Sequence, residues 1–286
     1  MLKKRIVGTL IIKNGIVVQS FGFNKYLPVG KPEVAIEYLD RWGIDEIVVL
    51  DIDASQAKTS PSIEPLKKYF KHCHVPVAIG GGIKSKEDFQ SLIRNGADKV
   101  VVNSILFTDP ETVKWASKTY GSQCIVGSLD VKMVDGKYFV KDRINNQLFE
   151  FEKYIKTVEE LELGELFITS IDKDGAGKGF DLELIELATK TTRLPVIISG
   201  GAGNPSHFSE ALQYDLSGVA AANFFHYFEH SVVITKTLLA AKKHSIRMDL
   251  RTRYQPEQLS DSGRVAKLDD AALSNLRFVK IEEEVI

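Results

Sequence analysis

Eight short runs of Val, Ile, Leu and Ala punctuate the chain, at 5–12, 46–52, 76–80, 98–103, 124–130, 165–170, 195–199 and 218–222. Most lack polar alternation, as expected of parallel strands covered on both faces. Between them the apolar spacing turns helical, as in PEVAIEYLDRWG (32–43), SKEDFQSLIRNG (85–96) and DPETVKWASKTYG (109–121). The last has Asp before Pro, then an acidic residue, then a closing glycine, which are start and stop signals for a helix. Strand and helix alternating eight times predicts an α/β fold of the (β/α)8 TIM-barrel type, with an open doubly wound sheet as the alternative.

The chain also repeats itself. VPVAIGGGIKSKEDFQSLIRNGADKVVVNSILFT (75–108) corresponds to LPVIISGGAGNPSHFSEALQYDLSGVAAANFFHY (194–227). Gly81, Gly82, Phe89 and Val100 match Gly200, Gly201, Phe208 and Val219, each 119 positions on (200 − 81 = 119). The same offset pairs Asp53 with Asp172, Glu46 with Glu165, and LIIK (10–13) with LDVK (129–132). Within that last pair the repeat breaks, because Asp130 has Ile11 as its counterpart. A period this regular has to be built into any fold assignment, and two sets of four βα units close more naturally into a barrel than into an open sheet.

Two insertions decorate the plan. Residues 13–30 follow the first strand and read as a ribbon or flexible flap. Residues 131–150 follow the fifth, with a hairpin expected around Asp135–Gly136. Both fall on the loop face after the strands, where barrels build their active sites. A helix over 230–244 completes the barrel, taken as residues 1–245. Residues 246–286 form a C-terminal extension, read as a partly ordered tail with a weakly amphipathic stretch, LDDAALSNLRFVKI.

Composition narrows the functional classes. With 286 residues, 44% hydrophobic, 26% charged and a net charge of −1, the chain has the balance of a globular protein without general attraction to nucleic acid or anionic membrane. No apolar run approaches the ~20 residues of a membrane span. The opening MLKKRIVGTLIIKNG is short, β-branched and without a cleavage site, so it reads as a strand rather than a signal peptide. Cys73 and Cys124 make neither a disulfide framework nor a metal site, and a cytoplasmic location is expected. His72, Cys73 and His74 lie in an extended stretch that spreads their side chains, so no metal and no cofactor are expected. GAGKG (175–179) has the wrong spacing for a phosphate-cradling P-loop, and Trp42 and Trp115 fall in helix patterns as packing residues.

Three groups of residues carry candidate chemistry. Glycines 80–82 and 200–201 follow strands three and seven, where bare backbone N–H groups can approach an anion. Asn103–Ser104, Asp174–Gly175 and Ala222–Asn223 end neighbouring strands and can add donors. Asp130, closing a buried strand, suits general acid or base work, or else holds a loop by hydrogen bonds. Arg5, Glu46, Lys99 and Glu165 start strands one, two, four and six, either as ordinary solvated strand ends or as a ring across the barrel floor.

GGGIKS, GADKVVVNS, YGSQCIV, LDVK, TSIDKDGAGKGFDLELI and SGGAGNPSHFSEA together resemble the cyclase subunit of imidazole glycerol phosphate synthase, over about residues 3–245. That resemblance implies a half-barrel-symmetric (β/α)8 fold, a substrate with two phosphates, and ammonia delivered through the barrel by a class I glutaminase. It assigns Gly81, Gly82, Asn103 and Ser104 to one phosphate site and Asp174, Gly175, Gly200, Gly201, Ala222 and Asn223 to the other. It makes Arg5, Glu46, Lys99 and Glu165 the gate at the ammonia entrance, and places Asp45 and Asp98 on the glutaminase-docking face.

The departures are as informative. The family uses two catalytic aspartates. Asp130 matches one and Ile11 replaces the other. Gln19 stands where a phosphate-contacting Lys is usual, Asn223 where Ser is usual, and Gly8–Thr9 where Pro-Cys is usual. A retained gate with a lost aspartate, and the LIIKNG opening, are similar to paralogues associated with surface-glycan pathways, in which ammonia passes to a separate sugar amidotransferase. The expectation is therefore a lyase-like cyclase subunit working as an ammonia conduit for glycan or lipopolysaccharide synthesis. A true cyclase of histidine biosynthesis and a bis-phosphate sugar isomerase are the alternatives. The implied partners are a glutaminase, a downstream amidotransferase and a phosphorylated small molecule.

Overall fold

A computed structural model describes residues 3–275, apart from 58, 72, 229, 251, 261–262 and 267–268. Twelve strands are present among these residues: β1 (Arg5–Lys13), β2 (Ile16–Phe21), β3 (Lys25–Gly30), β4 (Glu46–Asp51), β5 (Val77–Gly80), β6 (Lys99–Val102), β7 (Ile125–Val134), β8 (Lys137–Asp142), β9 (Gln147–Glu150), β10 (Glu165–Ser170), β11 (Val196–Ser199) and β12 (Gly218–Ala221). Eight of them pair in parallel in the order β1, β4, β5, β6, β7, β10, β11, β12, and β12 returns to β1. The sheet is therefore a closed (β/α)8 barrel, and the open doubly wound alternative is excluded.

Local side chains set the helix starts, among them the Asp–Pro signal at 109–110. Ser85 and Asp88 form a reciprocal capping box at the start of Lys86–Arg94. Asp109 caps Pro110–Tyr120, with proline at the first helical position. Each helix turns its apolar stripe onto the strands, burying Phe89 and Leu92 in the first half and Phe208 in the second.

Inside the barrel, alternation along each strand sorts side chains into layers. Val7, Val48, Ala78, Val101, Val126, Phe167, Ile197 and Ala220, one from each barrel strand, form a separate apolar layer. On β1 the same inward face carries Arg5 below Val7, then Thr9 and Ile11 above it.

The two-fold repeat extends to individual hydrogen bonds. The Asn14 N–H donates to the Asp53 carboxylate, and the Met133 N–H donates to Asp172 Oδ2 at 2.8 Å. The Asp45 N–H donates to the Ile6 carbonyl at 3.0 Å, and the Gly164 N–H to that of Ile125 at 3.1 Å. All four residue pairs differ by the sequence offset (133 − 14 = 172 − 53 = 119).

The insertion after β1 is an antiparallel ribbon, with β2 paired to β1 and β3 to β2. The insertion after β7 is the expected hairpin. Asp135 and Gly136 take φ of 47° and 76° between Val134 and Lys137, as a two-residue primed turn requires. β9 adds a third antiparallel strand there.

Helix Ser231–Ala241 is the last of the barrel. Beyond it Ile246 pairs with Lys4 and is buried, Asp249 and Leu250 lie against Gly43, and Arg264 stacks over Phe228 at 5.0 Å. A short helix spans Asp270–Ser274, and the rest of the amphipathic stretch lies outside the described residues. Among the described residues, no helix is long and apolar enough to cross a membrane.

Candidate functional site

The loops after the barrel strands enclose a cavity of about 850 Å³, with Thr9, Leu50, Ser128, Thr169 and Ser199 among its lining. Both glycine clusters face it, and so does Asp130. Gly81 and Gly200 hold φ of 123° and 96°, a left-handed backbone closed to most side chains. A Cβ at Gly81 would press on the Asp51 carbonyl, and one at Gly200 would approach the Ser170 carbonyl to 2.7 Å. Asp51 and Ser170 are again related by the repeat (170 − 51 = 119). The glycines therefore let each loop fold back tightly over its neighbouring strand and leave backbone facing the cavity.

The two half-sites are furnished differently. In the first, the Gly82 N–H donates to Ser55 Oγ at 3.2 Å, and the Asn103 amide donates to the Ser128 carbonyl at 2.9 Å and to Asp130 Oδ2 at 3.4 Å. Ser104 and Lys84 line the same side. In the second, the ribbon is drawn in. Asn223 Oδ1 accepts from the Ser20 N–H at 3.1 Å, and Asn223 Nδ2 donates to the Ser20 carbonyl at 2.8 Å. Asp174 Oδ2 accepts from Ser20 Oγ at 2.6 Å and from the Phe23 N–H at 3.2 Å. Burial pushes the Asp174 carboxyl up, against these ribbon donors. Gly175 touches the ribbon, Gly201 packs on the Gly179 carbonyl, and Ala222 lines the cavity beside them.

Asp130 is 8% exposed. Burial pushes its carboxyl from 3.8 to about 6, against the pull of Arg143 and of the Asn103 amide. A group poised there can exchange a proton near neutral pH. Ile11, which cannot, also lines the cavity, as does Gln19. Arg143 reaches in from the loop after β8 and places its guanidinium 5.0 Å from the Phe23 ring centre on the ribbon. Neither Arg143 nor Phe23 carries a pattern in the sequence that marks it, because the contact joins two insertions 120 residues apart (143 − 23 = 120).

At the other end of the barrel the four charges form a closed ring. Arg5 binds Glu46 at 2.5 Å and also Glu165, and Lys99 binds Glu46 at 2.8 Å and Glu165 at 3.2 Å. These are not solvated strand ends: the two carboxylates are buried and the two cations are mostly so. Ser217 is a fifth member, donating to Glu165 Oε1 at 2.7 Å and accepting from Arg5 at 3.1 Å. The repeat could have pointed to it, since it occupies the position of Asp98 in the second half (217 − 98 = 119).

Asp98 and Asp45 part company. Asp98 is exposed and accepts the Val77 N–H at 2.8 Å. Asp45 is only 5% exposed, so it presents no surface to a partner. Its carboxylate takes the Ile6 N–H at 2.7 Å and Lys236 Nζ at 2.6 Å, the latter from a side chain with no exposed area. The family resemblance placed it on the docking face, but the buried Lys236 of the last barrel helix draws it inward.

Of the discounted cluster, His72 lies outside the described residues. His74 bonds Asp40 at 3.1 Å and Cys73 is free. Among the described residues no three His, Cys, Asp or Glu side chains are placed to hold a metal ion.

Fold and site together define a class: a two-fold (β/α)8 barrel with a paired-loop mouth at one end and a charged ring across the other. Residues 5–231 match the family described as "Histidine biosynthesis protein". The chain is 34% identical over 267 residues to the "Putative imidazole glycerol phosphate synthase subunit hisF2" of Vibrio vulnificus, covering 92% of this chain and 98% of that one. It is 38% identical over 275 residues to the "Imidazole glycerol phosphate synthase subunit HisF" of Methanocaldococcus jannaschii, and 39% over 257 residues to that of Thermococcus onnurineus. Each of these is covered in full, against 87% of this chain. The chain belongs to the imidazole glycerol phosphate synthase cyclase-subunit family.

Proposed function

We propose that this barrel is an ammonia conduit. It docks a class I glutaminase against its floor, admits ammonia past the charged ring, and releases it at the mouth for amidation of a sugar by a separate amidotransferase, in surface-glycan or lipopolysaccharide synthesis. The observation that carries this reading is the complete ring at one end combined with Ile11 at the other. Cyclisation by two acid–base groups needs a proton carrier on each side of the substrate, and an isoleucine carries none. The apolar layer between ring and mouth suits a small neutral molecule and excludes ammonium, which would lose its hydration there. Exposed Asp98 belongs to the docking face on this reading.

The test is stimulation of a glutaminase. Glutamine hydrolysis by a HisH-type partner, measured with and without this chain, is expected to rise on complex formation. A partner that neither binds nor accelerates would end the proposal.

A second reading, a cyclase–lyase of histidine biosynthesis, is supported by the names of the relatives and by the Asp130 proton near neutrality. There Asp130 would serve as the general acid or base and another group would stand in at position 11.

A further inference from the structure

A polar layer lies directly above the apolar layer of the barrel interior, and it does not follow the two-fold repeat. Side chains two positions further along a strand return to the same face. Two residues beyond Val7, Val126, Phe167 and Ile197 stand Thr9, Ser128, Thr169 and Ser199. All four are buried and all four line the cavity. β7, β10 and β11 are neighbours, and only β12 separates β11 from β1, so the hydroxyls share one side of the wall. The repeat pairs Thr9 with Ser128, but it sets Leu50 against Thr169 and Gly80 against Ser199 (169 − 50 = 199 − 80 = 119). The half-barrel architecture therefore does not itself demand hydroxyls at this level.

The protein itself makes no use of these groups. Thr9 is 4% exposed, and its Oγ1 has no hydrogen-bond partner. Among the described residues, the hydroxyls of Ser128, Thr169 and Ser199 make no hydrogen bond either. A buried hydroxyl without a partner is less favourable than an apolar group of the same shape, so packing alone would select valine at position 9. A molecule rising from the floor loses its hydrogen bonds in the apolar layer and meets free donors and acceptors again at this level. Each hydroxyl offers both. Ammonia matches them, with one lone pair to accept an O–H and three N–H groups to donate. Ammonium has no lone pair and can use the acceptors only.

We propose that Thr9, with Ser128, Thr169 and Ser199, forms a station that holds one ammonia molecule between the apolar layer and the mouth. The identity of the ligand rests on the conduit reading, while occupancy of the station is measured without a glutaminase.

Methyl NMR of the full chain, labelled at threonine and leucine methyls, tests it. Ammonium chloride is titrated in at pH 9, where part of it is neutral ammonia, and at pH 6, where almost none is, each against potassium chloride. The Thr9 and Leu50 methyl resonances are expected to shift and saturate at pH 9 only. Thr9→Val is expected to weaken that saturation about tenfold, read at Leu50, while Thr9→Ser keeps the hydroxyl and stays within about threefold of wild type. Shifts that only follow the potassium control overturn the station, as do shifts that saturate equally at pH 6. A Thr9→Val protein that binds as tightly as wild type overturns it too. Should Thr9→Val not fold, Ser199→Ala takes its place with the same expectation. The glutaminase assay run alongside keeps the two readings apart. Stimulation without a saturable shift removes the station and leaves the conduit, and saturation without stimulation removes the conduit and leaves the station.

Discussion

Replacing Asp130 with Asn should stabilise the protein at pH 7.5 and do nothing at pH 4. In the folded state burial lifts the Asp130 carboxyl from 3.8 to about 6. The native state therefore keeps a proton that the unfolded chain has released. Stability contributed at this site falls as pH rises from about 4 through about 6, and the deficit is complete above about 7. A rise from 3.8 to about 6 corresponds to about 3 kcal/mol at neutral pH, using 1.36 kcal/mol per pH unit. Asparagine has nearly the same shape, can still accept from the Asn103 amide, and carries no charge to bury. Urea unfolding of both proteins at pH 4, 5, 6, 7 and 7.5 would read the difference, with groups that titrate in both cancelling in the comparison. The expected gap opens by about 2–3 kcal/mol between the extremes. A variant destabilised equally at every pH would show that Asp130 holds its loop by hydrogen bonds, and the account of a poised proton at the mouth would be refuted. Such a site would be retained for function at a cost in stability.

Two further variants test the floor. Glu165→Gln leaves Arg5 and Lys99 sharing one carboxylate, which should lower stability at pH 7 by about 3 kcal/mol as for a broken buried ion pair. Burial works against the Glu165 charge, but Arg5, Lys99 and Ser217 outweigh it and hold the carboxyl below its usual 4.5. The loss should therefore be full above about pH 4.5 and shrink as pH falls below it; thermal unfolding across that range would show it. Asp45→Ala should also cost about 3 kcal/mol by stranding Lys236, whereas Asp98→Ala should cost under about 1 kcal/mol and instead weaken glutaminase binding in a pull-down or titration.

The fold was legible because its signals are local or periodic. The barrel strands are apolar runs, the helices carry caps such as Ser85 and Asp109, and the offset of 119 ties Gly81 to Gly200 without reference to coordinates. Arg5, Glu46, Lys99 and Glu165 were legible as strand-start charges, but their closure into a ring was not, since bonds from Arg5 to Glu165 span 160 positions. The interior side of Asp45 was hidden for the same reason, because its partner Lys236 sits 191 positions away. Asn223 was readable as a donor at a strand end and its target was not. An amide can serve an anion or a backbone equally well, and only the path of the ribbon decides which.

The measurement that bears most directly on the conduit is ammonia-dependent turnover of the ribulosyl-aminoimidazole cyclase substrate by purified wild type beside Ile11→Asp. The account expects near-zero turnover by the wild type and a measurable gain when the carboxylate is restored opposite Asp130. Full turnover by the wild type would contradict it and place the chain in histidine biosynthesis.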